Sequence, residues 1–180
     1  MVTINDLYYH ITDYTMGRRL TKEIIPETGV IVCEMHRLDG RLHRDPTEGP
    51  AYTTRTDNGD VVEERYYWHG RLHREDGPAK LAYDVEDRPW REMHYRHGFL
   101  HRDPKQGPAW VERDGDGATT ESYYFNGEPY RDPADGPWAI QRSESGEIIF
   151  EQYCDAGEVV LPSHPSSRSH RPVPARTPLP

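Results

Sequence analysis

Cysteine is almost missing from this sequence. Cys33 and Cys154 stand far apart with no Cys-x-x-Cys pair, so there is no disulfide framework, and both read as reduced thiols of a cytoplasmic protein. Long apolar runs are missing too. No stretch approaches the ~20 residues of a membrane span, and Met1 to Asp6 lacks the basic-then-apolar order of a secretory leader. Hydrophobic residues make up only 34% of the chain and Phe occurs 3 times, which excludes a thick core. From residue 30 to 160 no window holds apolar residues at i, i+3, i+4 and i+7 over helical length, so helices are not expected there. Gly-x-Ser-x-Gly is absent, and neither cysteine has a basic neighbourhood that would make it a nucleophile. Gly115-Asp116-Gly117 has no helix after it and is a turn, not a dinucleotide loop. Asp114-x-Asp116 lacks the rest of a calcium loop.

Acid is abundant: 31 Asp and Glu face 22 Lys and Arg, a formal charge of −9. Residues 161–180 hold three Arg and no acid, so residues 1–160 carry −12, nineteen basic against thirty-one acidic side chains. An acidic body disfavours direct nucleic-acid binding and anionic membranes. It suits a basic protein partner, or mimicry of a nucleic-acid backbone. Tyr, with 12 copies, suits half-exposed sheet faces where the ring packs and the hydroxyl stays wet.

One phrase is written four times: Gly-x-x-(His/Tyr)-Arg-(Asp/Glu), a short gap, then Gly-Pro. It starts at Gly40, Gly70, Gly98 and Gly127, and a fifth copy opens at Gly157 and stops, giving spacings of 30, 28, 29 and 30. The 28 arises in the second copy, Arg74-Glu75-Asp76-Gly77, which lacks two loop residues. A change of two inside a loop leaves the flanking strands in register. Such a period means stacked units, none able to bury its own apolar face.

The segments before each glycine read as strands: Val61 to Trp68, Trp90 to Tyr95, Thr119 to Phe125, Ile148 to Tyr153. His69-Gly70 and Asn126-Gly127 are turn dipeptides. After each Gly-Pro a second short strand follows, at Ala51 to Thr54, Ala79 to Tyr83, Ala109 to Val111 and Trp138 to Ile140, and then a polar turn. The expected fold is all-β: an antiparallel meander of eight or nine strands, forming one elongated twisted sheet of tandem hairpin repeats. Three regions follow. Residues 1–28 form an N-terminal cap, either a short helix capped by Asn5, with Leu7, Tyr8, Tyr9 and Ile11 packing, or a hairpin around Gly17. Residues 29–160 hold four and a half repeats. Residues 161–180, rich in Pro, Ser and Arg, form a disordered tail. That tail is inert by default; Pro172-Val-Pro174 and Pro178-Leu-Pro180 also favour the extended helix that aromatic grooves bind.

Repetition marks the positions that matter. A glutamate stands six residues before each glycine (Glu34, Glu64, Glu92, Glu121, Glu151), and an arginine four after it (Arg44, Arg74, Arg102, Arg131). These predict a ladder of Glu–Arg pairs with aromatic rings beside them, closing each loop onto the sheet; a charged ligand groove is the other reading. His43, His73 and His101 recur once per unit, about two strand spacings or roughly 9–10 Å apart, too far to share an ion. They read as turn caps packing on Leu42, Leu72 and Leu100. No metal, cofactor or catalytic residue is expected, and the chain reads as not an enzyme.

The phrase Tyr66-Tyr67-Trp68-His69-Gly70-Arg71-Leu72-His73-Arg74-Glu75-Asp76-Gly77-Pro78-Ala79 resembles a repeat of bacteriophage, bacterial and giant-virus proteins, and is similar, more distantly, to the MORN repeat, a β-hairpin unit rich in Tyr, Gly and His. The likeness spans about residues 30–160. It weakens in the fourth copy, where Pro129-Tyr130 replaces Leu-His and Trp138 replaces Ala. The resemblance implies a non-catalytic, elongated sheet that binds other proteins. The sharpest expectation is a phage-type inhibitor of a host defence factor; an immunity or antitoxin protein and a nucleic-acid mimic are the alternatives. The expected contact surface is Tyr67, Tyr95 and Tyr124, flanked by Arg65, Met93 and Ser122. An open sheet also has two edges through which a homodimer can form.

Overall fold

Short alternating strands, punctuated every few residues by Gly, Pro, Asp and Asn, give the chain hairpins and little else. The computed structural model describes residues 2–5, 8–155 and 158–159, with side chains described from 12 to 154. Twelve strands follow one another in a single antiparallel sheet: β1 (Val2–Asn5), β2 (Tyr8–Thr15), β3 (Arg18–Ile24), β4 (Ile31–Leu38), β5 (Tyr52–Arg55), β6 (Val61–Arg65), β7 (Lys80–Tyr83), β8 (Pro89–Met93), β9 (Trp110–Arg113), β10 (Thr119–Ser122), β11 (Ala139–Arg142) and β12 (Ile148–Gln152). Spatial order equals chain order, so every pairing between these strands joins neighbours in sequence, through either a short turn or a longer excursion. At 4.8 Å per strand the sheet is roughly 50 Å across. Strands β1 and β12 are not paired with each other, and the sheet is open. Among the described residues no helix is long and apolar enough to cross a membrane.

The repeat region contributes nine of these strands, β4 to β12, as its alternation predicts. The first 28 residues are not a helical cap. They extend the sheet by three strands, and Met16-Gly17 turns between β2 and β3 with both φ positive, which is the hairpin reading. The packing expected of Leu7, Tyr8, Tyr9 and Ile11 lies outside the described side chains, as do the whole tail (161–180) and the fifth turn at Gly157.

Register follows the repeat. Directly opposed residues run Lys22–Glu34–Thr53–Glu64–Leu81–Glu92–Val111–Glu121–Ile140–Glu151 across the sheet. Each ladder glutamate is therefore flanked on the same face by Lys, Thr or an aliphatic residue, never by another glutamate. The aliphatic neighbour covers the glutamate's methylene stem while like charges stay two strands apart. The two-residue deletion in the second copy does not disturb this row, because it falls in the loop before β7.

Among the described residues no second large sheet packs on the first, and no large side chain is fully buried. Completely enclosed are Ala51, Ala79 and Ala109, the residues after Gly-Pro, at 0% exposure. Tyr66, Tyr123, Cys33 and Ile140 are buried nearly as well. The stabilising apolar contacts are thin and local, and the rest is carried by backbone pairing and side-chain hydrogen bonds.

The turns at one end of the strands are self-contained. Asp84 Oδ1 accepts from the backbone N–H of Glu86 (2.8 Å) and Arg88 (3.0 Å), and Asp114 Oδ1 from Asp116 (3.0 Å) and Ala118 (2.8 Å). Thr56 Oγ1 and Ser143 Oγ fill the same role in their turns. A short side chain with an acceptor oxygen suffices for this turn, so the residue type varies.

Candidate functional site: the column of arms

The strand expected from Val61 to Trp68 is not continuous. At the residue four before the repeat glycine the chain leaves the sheet and forms a small hairpin, an arm, before returning. The backbone N–H of that residue bonds the carbonyl after Gly-Pro: His36 to Ala51 (2.8 Å), Tyr66 to Ala79, His94 to Ala109 and Tyr123 to Trp138 (each 2.7 Å). Its own carbonyl accepts from the residue three after the glycine, His43, His73, His101 or Tyr130. Between these two bonds lie the arms: Tyr67–Trp68 with Arg71–Leu72, Tyr95–Arg96 with Phe99–Leu100, and Tyr124–Phe125 with Glu128–Pro129. In the first unit β4 runs straight into its arm, because β3 pairs with it as far as Arg18↔Leu38. Both central turn residues have positive φ, as at His69 (47°) and Gly70 (82°). That demands Gly40, Gly70, Gly98 and Gly127 at the second place.

The first four arms are stapled to one another by the same three bonds at each of their three joints. The glycine N–H reaches back to the leucine carbonyl: Gly70 to Leu42, Gly98 to Leu72, Gly127 to Leu100, each 2.8 Å. The arginine N–H reaches forward, Arg44 to Tyr67, Arg74 to Tyr95 and Arg102 to Tyr124, at 3.1–3.2 Å. The third bond explains the repeated histidine. Nδ1 of His43, His73 and His101 accepts the backbone N–H of His69 (3.0 Å), His97 and Asn126 (3.2 Å each). An acceptor Nδ1 places the proton on Nε2 and requires a neutral ring. Burial, aided by His69 and His97 respectively, holds His43 and His73 below the ordinary imidazole range. His43 and His73 also lie 4.4 Å, ring to ring, from the His of the next turn. Histidine thus caps a turn as the sequence suggests, but the turn belongs to the following unit.

The ladder of Glu–Arg pairs does not form. None of Arg44, Arg74, Arg102 and Arg131 meets Glu34, Glu64, Glu92, Glu121 or Glu151 in an ion pair. Each arginine instead donates Nη1 to the proline carbonyl of its own Gly-Pro: Pro50 (3.2 Å), Pro78 (3.5 Å), Pro108 (3.1 Å) and Pro137 (3.0 Å). Two of them also cover the ring at the arm's root, Arg74 over Tyr66 and Arg131 over Tyr123, both at 4.1 Å, and Arg44 Nη1 lies 3.2 Å from His36 Nε2. Arginine therefore does close the loop onto a ring, with a carbonyl as its anchor. The glycine of Gly-Pro makes room: a Cβ on Gly49, Gly107 or Gly136 would stand 3.1–3.3 Å from the guanidinium, at φ of 119–124°. The pairing with Glu fails because Glu lies two residues deeper in the strand than the ring, about 6–7 Å away. There Glu34 binds Lys22 (3.3 Å) and His36 (2.8 Å), Glu64 accepts from the Tyr83 hydroxyl (3.0 Å), and Glu92 holds Arg113 (2.9 Å). His94, half-buried near Arg102 and Arg74, is driven down to about 4, chiefly by burial.

Tyr67, Tyr95 and Tyr124 do come together. They occupy the inner strand of successive arms and are half-buried, and Tyr95 senses both neighbours, its phenol pushed up by burial and by Tyr67 and Tyr124. Tyr95 Oη lies 4.0 Å from Met93 Sδ, and Tyr124 meets Trp138 edge-on. Arg65 is held by Glu63 at 2.6 Å and lies over the Tyr52 ring, and Ser122 is buried. The contact surface expected from the sequence is thus a row of rings packed at the arms' roots.

A more exposed set lies further out on the arms: Trp68, Phe99, Phe125 and Tyr130, with Arg41, Arg71 and Arg96 beside them. Trp68 packs at a tilt against His43 of the preceding unit, and Phe125 against His101. The signal for them was present, since Trp68, Arg96 and Phe125 each stand two before the glycine, but only the break in the strand puts that position at the surface. Charge is divided along the strands. The five turns at the far end hold ten carboxylates (Glu27, Asp57, Asp60, Asp84, Glu86, Asp87, Asp114, Asp116, Glu144, Glu147) against Arg88 alone, whereas the arms are rich in Arg and His.

Chemically the arrangement offers surfaces. Cys33 and Cys154 are buried and burial pushes both thiols up. Among the described residues no group of three His, Cys, Asp or Glu side chains is placed to hold a metal ion. The groove between the second and third loops is lined by Arg74, Asp76, His94, Arg102 and Asp103 and is open to solvent. No protein-family model matches this chain, and no curated protein sequence matches it.

Proposed function

We propose that this chain is a non-catalytic repeat array that binds another protein, a cytoplasmic MORN-like scaffold whose sharpest assignment is a phage-type inhibitor of a host defence factor. One observation carries the reading. A single-layer sheet leaves its rings half-exposed on arms that recur at a fixed spacing, and such rigid, amphipathic rings are what protein interfaces use as anchors. The division between an acidic row of turns and Arg-bearing arms gives a partner an electrostatic direction of approach. An immunity protein against a basic toxin rests on the same acidic row.

The experiment is affinity capture from host lysate with the intact chain, followed by binding of the recovered protein to two triple variants. One removes Tyr67, Tyr95 and Tyr124; the other removes Trp68, Phe99 and Phe125. A single dominant partner, bound less well in high salt and lost at least tenfold in one folded triple variant, supports the reading. A partner bound equally by both variants, or no saturable partner, overturns it.

A further inference from the structure

Cations on the sheet face that carries Tyr52 are matched with acids. Arg65 and Lys80 share Glu63 at 2.6 and 3.1 Å, and Arg91 holds Glu112 at 2.9 Å. Arg19 and Arg37 break that rule. They stand directly opposed on β3 and β4, on the same face, since Arg37 is two residues from Met35 and Met35 opposes Tyr52. Among the described residues neither meets a carboxylate in an ion pair. Arg37 Nη2 donates to Met35 Sδ (3.2 Å), and Arg19 lies over the Tyr14 ring at 5.3 Å. A thioether is a weak acceptor. The row through the pair reads Tyr14–Arg19–Arg37–Leu42, and the next row inward Thr12–Thr21–Met35–Tyr52, with no acid in either. Glu23 is about 13 Å along β3 from Arg19, and Asp39 lies against the Gly17 turn. A cavity of about 320 Å³ touches both arginines and is also lined by Asp13, Asp45 and Glu48. Those acids belong to the other face. Asp13 opposes Leu20, next to Arg19, and Asp45 and Glu48 sit on the loop that Arg44 folds over His36, next to Arg37.

We infer that Arg19 and Arg37 form a clamp for the phosphoryl group of a phosphate monoester. Three observations carry this. First, like charges directly opposed are destabilising, so an anion that joins the pair accounts for it and folding does not. Second, Arg37 departs from the repeat. Its place, three before the repeat glycine, is held by Tyr67, Tyr95 and Tyr124 in the next three units. Recurrence marks what the fold needs, and Arg37 stands where recurrence stops; its opposing arginine comes from β3, outside the repeat. Third, the two cations match a dianion in charge and shape. Directly opposed Cβ atoms lie about 4.5–5.5 Å apart, so both guanidinium groups can reach one phosphoryl group, whose three terminal oxygens offer an edge to a planar fork on each side. A carboxylate has one charge and one such edge, and leaves the second arginine unmatched. Arg19 is exposed and Arg37 half-buried, so the clamp is open to solvent. The Tyr14 ring and Leu42 flank it, giving surface to the group that carries the phosphate. A phosphorylated side chain and a nucleotide present the same dianion.

The test is calorimetric titration and thermal melting of the full chain with phenyl phosphate, benzoate, AMP and the peptide Ala-Ala-phosphoserine-Ala-Ala, all at one ionic strength. Phenyl phosphate is expected to fill a single saturable site and raise the melting midpoint, with benzoate bound at least tenfold more weakly. Arg19→Gln and Arg37→Gln are each expected to weaken phenyl phosphate binding at least tenfold. Arg71→Gln, which removes an exposed arginine of the second arm, is expected to leave it unchanged. Arg37→Glu supplies the missing acid within the chain, and is expected to melt no lower than the unmodified protein and to bind no phosphate. Tighter binding of AMP than of phenyl phosphate assigns the nucleotide as the source, and tighter binding of the peptide assigns the phosphorylated side chain. No saturable binding of any of the three phosphates, or equal affinity for benzoate, overturns the proposal. So does a loss in Arg71→Gln as large as in Arg37→Gln, or an Arg37→Glu chain that binds phenyl phosphate as the unmodified one does. None of these outcomes depends on the identity of the protein partner.

Discussion

The two ends of each strand pair repeat in different ways. At the arm end the same residues return by identity, Arg, Gly and Pro in all four copies and Leu, His and Ala in the first three. At the far end the turns read Thr-Asp-Asn-Gly-Asp, Asp-Val-Glu-Asp-Arg, Asp-Gly-Asp-Gly-Ala and Ser-Glu-Ser-Gly-Glu, alike only in beginning with a short oxygen-bearing side chain. The difference lies in where the bonds go. A far turn satisfies its own backbone, so any Thr, Ser or Asp will do. An arm residue must fit its own unit and the next one at once. His73 closes its own arm on Tyr66 and accepts from His97 of the following arm. Identity is repeated where a side chain must reach a fixed partner beyond its own turn, and only chemistry is repeated where a turn satisfies its own backbone.

The sharpest way to break that comparison is at the arginine. Arg102→Ala removes the bond to the Pro108 carbonyl and opens the loop beside His94, and is expected to cost about 2–3 kcal/mol. Glu92→Ala, whose partner Arg113 is largely exposed, is expected to cost under about 1 kcal/mol. Denaturant melts of both and of the double variant measure this. Equal costs with a coupling energy above about 1 kcal/mol would restore the Glu–Arg pair.

Acid should loosen the arms before the turns. His43, His73 and His94 titrate below the ordinary value in the fold, so the unfolded chain binds more protons between pH 6.5 and about 4. Their contribution is complete above pH 6.5 and is lost as pH falls through that window. The melting midpoint is expected to be level near neutrality and to decline on the acid side well before the carboxylates Glu34 and Glu63, held low by His36 and Lys22 and by Arg65 and Lys80, are neutralised. His94→Tyr copies the Tyr66–Arg74 arrangement and is expected to fold while flattening that slope. An unchanged slope would remove His94 from the account.

At one joint, His73→Ala leaves the His97 N–H without its acceptor and is expected to cost about 1–2 kcal/mol. Asp114→Ser, a swap between residue types that the turns already use, is expected to stay within about 0.5 kcal/mol. A thermal melt separates these, and a costly Asp114→Ser would mean that the turns are as specific as the arms. The smallest expected effect is a gain. Asp87 holds φ of 57° where three other far turns have Gly59, Gly117 and Gly146, so Asp87→Gly is expected to stabilise by a few tenths of a kcal/mol.

Much of this was legible in the residues. Period-2 alternation, turn dipeptides and a recurring phrase are local signals, and they determined an all-β meander, its nine repeat strands and the register across the shortened second loop. A repeat also marks the positions where a side chain matters, and Arg44, Arg74, Arg102 and Arg131 and the four glycines are such positions. What the phrase leaves open is the atom each one touches. A strand that kinks at Tyr66 reads the same as one that runs on to Trp68, because the kink is made by the Ala79 carbonyl and the His73 N–H, seven to thirteen residues ahead. That kink lifts Trp68, Phe99 and Phe125 onto exposed arms, carries Arg74 past Glu64 to the Pro78 carbonyl, and hands each histidine to the next unit. Sequence by itself determined which residues recur, since recurrence is a property of the chain. Tertiary structure alone decided which neighbours they bind, since a hydrogen bond is won by whichever acceptor stands closest in space.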